Sequence, residues 1–243
     1  MYNEKFNNAL LTVQTNHIRA GIGTLGERTL HAVLKNYFEP FPENHEIKIG
    51  GFIADIVGEH GIIEIQTRQF YSLRKKLNAF LEAAVVTVVY PITSTKWLIW
   101  ADTETGEITK KRKSPKKGTK YDVFFELYQI KQLVTHPNFR LCIVLTDMEE
   151  YRKLNGYSAD KKKGSSRYER IPIGIVDEIF INDVLDYKKL IPEGLPKNFT
   201  VKDYKKESRI TTRCAQYACN VLCTVGVIKH IGKNGNAYIY TIS

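Results

Sequence analysis

Residues 51 to 70, GFIADIVGEHGIIEIQTRQF, contain two short apolar runs on either side of the segment Gly58 to Gly61. Apolar, β-branched runs separated by a short glycine-containing turn predict a β-hairpin. Each run has a carboxylate near its centre, Asp55 in the first and Glu64 in the second. A charge within a strand that is otherwise apolar is costly unless a partner compensates for it. The hairpin therefore predicts a site as well as a fold.

The turn sets which residues of the two predicted strands face each other. With this turn, Val57 lies opposite Ile62, and Asp55 lies opposite Glu64. Carboxylates placed so closely repel each other unless they share a proton or a cation, and a hard divalent metal with oxygen ligands is the natural partner. Gln66 projects from the same face as Glu64 because side chains alternate along a strand. A shift of one residue would instead put the two carboxylates on opposite faces.

The elements around the hairpin predict an α/β fold with a mixed sheet. Apolar residues at helical spacing predict helices, and short β-branched runs predict strands. A hairpin followed by alternating helices and strands is typical of α/β layers. The predicted helices are 24–38, 69–82 and 122–134, and the predicted strands are 46–57, 62–66, 84–92, 96–101 and 140–147.

The charge of the chain favours a polyanionic partner. Its 243 residues carry 36 Lys and Arg against 26 Asp and Glu, a formal net charge of +10. Such a surplus is typical of nucleic-acid-binding proteins, although many basic proteins bind none. Two segments, KKRKSPKKGTK (110–120) and DKKKGSSRYER (160–170), concentrate the charge and are either solvated loops or phosphate contacts. Lys113, Lys116 and Lys117 are the candidates for DNA contact in the first segment.

The sequence predicts a cytoplasmic protein with no membrane partner. No basic N-terminal segment followed by an apolar stretch is visible, as a signal peptide would require. The longest apolar run, 83–92, is too short to cross a bilayer.

A domain boundary is predicted near Tyr187, where prolines and glycines follow in close succession, so that residues 1–186 and 187–243 form two domains. Beyond it, a helix capped by Thr200, a second helix and an Asn-Gly hairpin resemble a winged helix-turn-helix, with residues 211–224 as the recognition helix. The resemblance implies base contacts and wing contacts to DNA. An alternative use of such a domain is protein contact or dimerisation, so a homodimer stays open. The implied DNA-binding residues are Thr212, Arg213, Gln216, Lys229 and Lys233.

Residues 20 to 92 resemble the PD-(D/E)xK nuclease superfamily, on the pattern Asp55, eight residues, Glu64-Ile65-Gln66, preceded by a helix with Glu27. The resemblance implies a restriction-endonuclease-like αβββαβ core, with Asp55, Glu64 and Gln66 as catalytic residues. It also implies Mg²⁺, or Mn²⁺ in its place, held by Asp55, Glu64 and Glu27. Glu27 could instead serve only a capping box that begins at Thr24.

One position departs from the superfamily pattern. The usual third element is Lys, and this chain has Gln66, which resembles the ExQ form of some restriction enzymes. Lys48, Lys75 and Lys76 are the nearby residues that could supply the missing cation.

The resemblance implies a metal-dependent endonuclease that hydrolyses phosphodiester bonds in double-stranded or structured DNA. Two alternatives remain at this stage. The first is a DNA-binding regulator with an inactive nuclease fold, which Gln66 motivates. The second is a protein-interaction module built on the same folds.

Overall fold

The structure, a computed structural model, describes residues 2–20, 27–102, 105, 107–154 and 166–243, with side chains over 4–15 and from residue 29 onward in these ranges. The chain divides into two compact units. Unit one comprises Met1–His45, Thr93–Thr119 and Val144–Asp177. Unit two comprises Glu46–Ile92, Lys120–Ile143 and Glu178–Ser243.

Groups of strands are separated by helices along the described chain. The helices are α1 Tyr2–Ala20, α2 Glu27–Phe38, α3 Arg74–Ala83, α4 Phe124–Leu127, α5 Val201–Ser208 and α6 Thr212–Thr224. The strands are β1 His45–Ile49, β2 Phe52–Gly58, β3 Gly61–Ile65, β4 Val86–Asp102, β5 Arg112–Lys113, β6 Phe139–Leu154, β7 Ser166–Ile181, β8 Asn198–Thr200, β9 Ile228–Asn234 and β10 Ala237–Ile242.

Two sheets are formed within the described residues. The larger has the order β1-β2-β3-β4-β6-β7, and β5 pairs with β4 outside this path. β2 and β3 are antiparallel, whereas β3 and β4 are parallel. The protein is therefore α/β with a mixed sheet, as the sequence predicts. The smaller sheet has the order β8-β10-β9.

Helix α2 buries the residues that its helical spacing predicts. Leu30, Val33, Leu34 and Tyr37 lie on its buried face, and the chain leaves the helix before Pro40. Proline has no amide hydrogen and restrains the residue before it, so it favours the end of a helix. The predicted start of this helix at Thr24 lies outside the described residues.

Helix α3 follows β3 in unit two and contacts β2 through Phe80. Leu77 and Phe80 are fully buried, and the rings of Phe52 and Phe80 meet edge to face at 6.1 Å. Apolar residues three or four positions apart along the sequence are the pattern that predicted this helix.

Five of the predicted elements have wrong bounds. The predicted strand 46–57 is divided into β1 and β2 by a turn at Gly50-Gly51, where both residues have positive φ. The predicted strands 84–92 and 96–101 are one strand, β4, and the strand predicted at 140–147 continues to residue 154 as β6. The helix predicted at 122–134 is a succession of short 3₁₀ and α turns over 120–130.

The C-terminal elements follow the sequence prediction closely. Thr200 caps α5, with its hydroxyl accepting from Asp203 N and Asp203 accepting in return from Thr200 N. Helix α6 buries Ala215, Ala218 and Leu222, and β9 and β10 form a hairpin over Gly235. This segment lies in unit two, where Tyr204 packs edge to face on Tyr121 and Phe124 at 6.3 Å.

No helix within the described part of the chain is both long enough and apolar enough to cross a membrane.

Candidate functional site

The β2–β3 hairpin has the register that its turn predicts. Ile56 pairs with Ile63, Val57 with Ile62, and Gly58 with Gly61. Continuing this antiparallel register by one pair puts Asp55 opposite Glu64. The prediction that Val57 faces Ile62 is therefore confirmed.

Gly61 fixes the start of β3. Its φ is +98°, and a Cβ on this residue would meet the backbone carbonyl of Val85. The same carbonyl accepts a hydrogen bond of 2.9 Å from Ile62 N. Only glycine permits this close approach, so the strand that carries Glu64 is held against its parallel neighbour from its first residue.

The two carboxylates bind each other's strand. Asp55 N donates to Glu64 Oε1 at 3.2 Å, and Ile65 N donates to Asp55 Oδ2 at 2.8 Å. These bonds hold the two acids side by side, although their charges repel.

Glu64 is the buried member of the pair, with 2% of its surface exposed. Burial raises the pKa of Glu64 from 4.5 to about 7, and the charge of Asp55 adds to the increase. Lys76 opposes both effects, since its Nζ lies 2.5 Å from Glu64 Oε2. The site thus combines the adjacent carboxylates of Asp55 and Glu64 with the ammonium group of Lys76, and the pKa of Glu64 is raised to about 7.

Lys76 is one of the three lysines that the sequence left open, and the structure distinguishes it from its neighbour. Lys76 is partly buried on α3 and bound to Glu64, while Lys75 and Lys48 are exposed. Because successive helical residues point in directions about 100° apart, only one of two adjacent lysines can face the strand.

Gln66 lies directly after β3, with its backbone N bound to Val89 O. Its side-chain Nε2 donates to Arg68 O at 2.6 Å and lies 3.5 Å from Ser72 Oγ. The amide nitrogen therefore supports the turn that leads into α3, rather than the carboxylates.

Glu27 begins α2, but its side chain lies outside the described residues, so its predicted metal contact stays a prediction. Among the side chains that the structure describes, no group of three or more His, Cys, Asp or Glu residues is arranged to hold a metal ion. Asp55 and Glu64 are thus a two-carboxylate arrangement within the described part.

Sequence reasoning missed Glu126, a buried residue that positions the segment after the carboxylates. Its Oε2 accepts from Phe70 N at 2.8 Å and from Gln129 Nε2 at 3.1 Å. The sequence carries no signal for this role, because Glu126 and Phe70 are 56 residues apart.

The candidate DNA-reading residues of α6 lie on its exposed side. Thr212, Arg213 and Gln216 are exposed, and Arg213 Nε donates to the hydroxyl of Tyr217 at 2.9 Å. Thr212 and Gln216 line an open cavity of about 690 Å³ between α5, α6 and β10. The other residues that line it are Thr200, Val201, Lys202, Lys205, Asn236, Ala237, Tyr238 and Tyr240.

The remaining basic candidates are also exposed. Lys229 and Lys233 lie on β9, and Lys233 Nζ is 4.7 Å from the centre of the Tyr238 ring. In unit one, Lys113 lies on β5, 5.7 Å from the ring centre of Trp97, and Lys116 and Lys117 follow it.

Comparison with known proteins places the chain in a family without an assigned activity. The family model described as "Domain of unknown function (DUF8091)" matches residues 28–182, more than half of the chain, so the chain belongs to this family. A protein of Treponema pallidum (strain Nichols), named "Uncharacterized protein", is 35% identical over 150 residues, which cover 61% of this chain. The aligned part spans 57% of that relative's length. No solved structure matches the chain. The family match includes Asp55, Glu64 and Lys76 and ends before the C-terminal segment.

Proposed function

We propose that this member of the DUF8091 family is a cytoplasmic, Mg²⁺-dependent DNA endonuclease of the PD-(D/E)xK type, with a C-terminal winged-helix segment that binds DNA. The observation that carries the proposal is the pairing of Asp55 and Glu64 across the hairpin, with Lys76 at 2.5 Å from Glu64. Two adjacent carboxylates and a cation are the groups that metal-dependent phosphodiester hydrolysis uses.

The order of elements supports this proposal. From α2 to β4 the chain runs helix, three strands, helix, strand, which is the order of the αβββαβ core. The antiparallel pairing of β2 with β3 and the parallel pairing of β3 with β4 put the carboxylates on two neighbouring strands within the sheet.

The two carboxylates fit a magnesium ion. Mg²⁺ is commonly bound by one or two carboxylates, several waters and the phosphate oxygens of the substrate, so a third protein ligand is not required. The raised pKa of Glu64 reflects burial and the charge of Asp55, and a divalent cation would offset both. Asp55 and Glu64 would hold the ion, with Mn²⁺ as a substitute. Once bound, the ion supplies an acidified water and neutralises charge on the scissile phosphate.

Lys76 takes the role of the third motif element, which is Lys in the common form of the superfamily and Gln66 in this chain. Its ammonium group has three donors, of which Glu64 engages one. The others are available for a phosphate oxygen or for the attacking water. Gln66 then contributes indirectly, because its bond to Arg68 O shapes the turn that leads into α3.

The C-terminal segment is proposed to position the duplex. The succession β8-α5-α6-β9-β10 and the sheet order β8-β10-β9 support a winged helix-turn-helix. In such domains the second helix enters the major groove with its N-terminal residues at the base edges. These are Thr212, Arg213 and Gln216, and β9 with β10 forms the wing that carries Lys229 and Lys233.

A DNA-binding regulator with an inactive nuclease fold is the second candidate. The ion pair between Lys76 and Glu64 favours it, since a lysine at 2.5 Å offsets the charge of Glu64 without any metal. The same pair would then serve only to stabilise the hairpin against α3.

A cleavage assay distinguishes the two candidates. Wild type, Glu64→Ala and Glu82→Ala, in which an exposed acid of α3 is removed, are incubated with duplex, branched and flap DNA, with and without Mg²⁺. The endonuclease proposal expects Mg²⁺-dependent cleavage by wild type and Glu82→Ala, and its loss in Glu64→Ala with DNA affinity retained. Wild type that binds but never cuts supports the regulator, and Glu64→Ala that cuts at the wild-type rate refutes the proposed site.

A further inference from the structure

Glu150 lies on β6 in unit one and has no exposed surface. Four cationic side chains surround its carboxylate. Glu150 Oε1 lies 2.7 Å from Arg152 Nη2. Glu150 Oε2 lies 3.0 Å from Lys96 Nζ, 3.3 Å from Arg170 Nε and 3.6 Å from Arg167 Nε. We refer to these five residues as the Glu150 cluster.

The Glu150 cluster carries a surplus of positive charge. Lys96, Arg152 and Arg170 alone outnumber the one carboxylate that they contact, and Arg167 lies within 3.6 Å of it as well. Burial would raise the pKa of Glu150, but hydrogen bonds from Lys96 and Arg152 lower it to about 2. Glu150 therefore stays ionised, and it holds the cations together over the whole neutral range.

A purely structural ion pair would not need so many cations. One or two suffice to compensate a buried carboxylate, and each further cation adds repulsion between like charges. A bound anion would offset that repulsion. The arrangement is thus suited to a ligand with more than one negative charge.

The arginines have the exposure and the donors to reach such a ligand. The side chains of Arg152, Arg167 and Arg170 are 30%, 50% and 27% exposed. A guanidinium group has five N–H donors. Glu150 accepts from Nε and Nη2 of Arg152 and from Nε of Arg170, so each of these arginines has further donors. Arginine also matches phosphate geometry with two parallel hydrogen bonds.

The strands that carry the cluster make it a rigid surface. Lys96 lies on β4, Glu150 and Arg152 on β6, and Arg167 and Arg170 on β7. Side chains on strands, anchored by a buried carboxylate, lose little conformational freedom when they bind.

We infer that the Glu150 cluster is a docking surface for the phosphodiester backbone of duplex DNA, with Glu150 as the buried anchor that orients its cations. The choice of DNA as the polyanion rests on the proposed function. The phosphate-binding geometry itself does not depend on Asp55 or Glu64.

The test compares full-length variants by fluorescence anisotropy with a duplex, in EDTA and at a series of salt concentrations. Each phosphate contact contributes about 0.9 to the slope of log K against log salt. We expect Arg167→Gln/Arg170→Gln to reduce this slope by about two and to weaken binding at least about tenfold at 0.15 M salt. The charge-conserving Arg167→Lys/Arg170→Lys should keep the slope and show intermediate affinity. Lysine keeps the positive charge but cannot form the two parallel hydrogen bonds of a guanidinium group.

A matched control removes the same charge elsewhere. Lys5→Gln/Lys48→Gln changes two exposed lysines outside the cluster and should leave slope and affinity close to wild type. If the double arginine variant unfolds, Arg167→Gln alone tests the surface. Its side chain is half exposed and lies at 3.6 Å from Glu150, and its loss should reduce the slope by about one.

The outcomes separate this inference from the proposed activity. A double glutamine variant with the wild-type slope overturns the docking surface, whatever wild type cleaves. A reduced slope in that variant, together with no cleavage by wild type, would support the docking surface and refute the proposed nuclease activity.

Discussion

Glu64 is the residue at which burial and electrostatics act most strongly on the proposed site. Its pKa is raised from 4.5 to about 7, so the folded protein binds this proton more tightly than the unfolded chain does. The free energy of unfolding of the metal-free protein should therefore fall as pH rises from 4.5 to about 7, by up to about 3 kcal/mol. Urea denaturation across this range measures the change.

Glu64→Gln is the reference for this pH prediction, since glutamine does not ionise. Its unfolding free energy should lack the decrease between pH 4.5 and 7 that wild type shows. Glu150 has the opposite shift, to about 2, so the stability that it contributes is lost only as pH falls from about 4.5 towards 2. A constant difference between wild type and Glu64→Gln over pH 4.5 to 7 would contradict the buried, raised carboxylate.

Lys76→Met and Lys75→Met form a matched pair on α3. Lys76 contacts Glu64 whereas Lys75 is exposed, so only Lys76→Met removes a cation from the site. We expect Lys76→Met to reduce the Mg²⁺-dependent cleavage rate at least about tenfold, a loss of roughly 1.4 kcal/mol in transition-state stabilisation. Single-turnover rates measure it, and equal rates for the two variants would exclude Lys76 from catalysis.

At this scale, the sequence predicted the carboxylate pair but not the rest of the site. The facing of Asp55 and Glu64 depends on a short turn, which is a local property of the chain. The choice of Lys76 depends on how α3 packs, and the Glu150 cluster joins residues such as Lys96 and Glu150 that are 54 positions apart. Such contacts follow from strand order, which residue spacing alone does not specify.

Among the elements, β3 is the one whose position the site depends on most. Gly61→Ala would drive a Cβ into the carbonyl of Val85, so β3 must shift away from β4. We expect this variant to be less stable than Gly235→Ala, in which φ is +58° but nothing lies within 4 Å of the added atom. Strain at positive φ alone costs about 1–2 kcal/mol.

Thermal unfolding with calorimetry compares the two glycine variants. Gly61→Ala should also lower DNA cleavage, because a displaced β3 separates Glu64 from Asp55. Equal stability of Gly61→Ala and Gly235→Ala would show that the turn tolerates a side chain.

Helix α6 offers a second pair of variants. Gln216 lines the open cavity beside β10, and Thr224 lies exposed at the other end of the helix. Gln216→Ala should weaken binding to a preferred duplex by about 1–3 kcal/mol and relax base preference, whereas Thr224→Ala should not. Competition binding with base-substituted duplexes checks this, and indistinguishable variants would remove α6 from base recognition.

The bounds of two strands, β4 and β7, could not be predicted from residue type alone. The sequence predicted β4 in two pieces because the polar residues Thr93, Ser94 and Thr95 separate two apolar runs, yet the strand is continuous across them. The basic segment 160–170 was interpreted as lying between elements, either as a solvated loop or as a phosphate contact, although residues 166–170 belong to β7. There, Arg167 and Arg170 find a buried carboxylate, which removes the penalty for charge in a strand.

For the whole molecule, the two units separate the proposed tasks. Unit two contains the carboxylate pair together with the C-terminal segment, and unit one contains the Glu150 cluster and the exposed lysines from Lys113 to Lys117. Basic residues that are proposed to contact DNA therefore occur in both units. A division at residue 187 into two domains stays a prediction, and contacts of Tyr204 with Tyr121 and Phe124 join the two sides of that boundary.

The central claim is that Asp55 and Glu64 hold a divalent metal ion, and isothermal titration of the full-length protein with Mg²⁺ at pH 7.5 tests it most directly. We expect a saturable site in wild type that is weakened at least about tenfold in Asp55→Asn and in Glu64→Gln, since each variant removes one of the two charges that bind the ion. Lys75→Met should bind as wild type does. Absence of a saturable site in wild type, or equal affinity in wild type and both carboxylate variants, would contradict the claim.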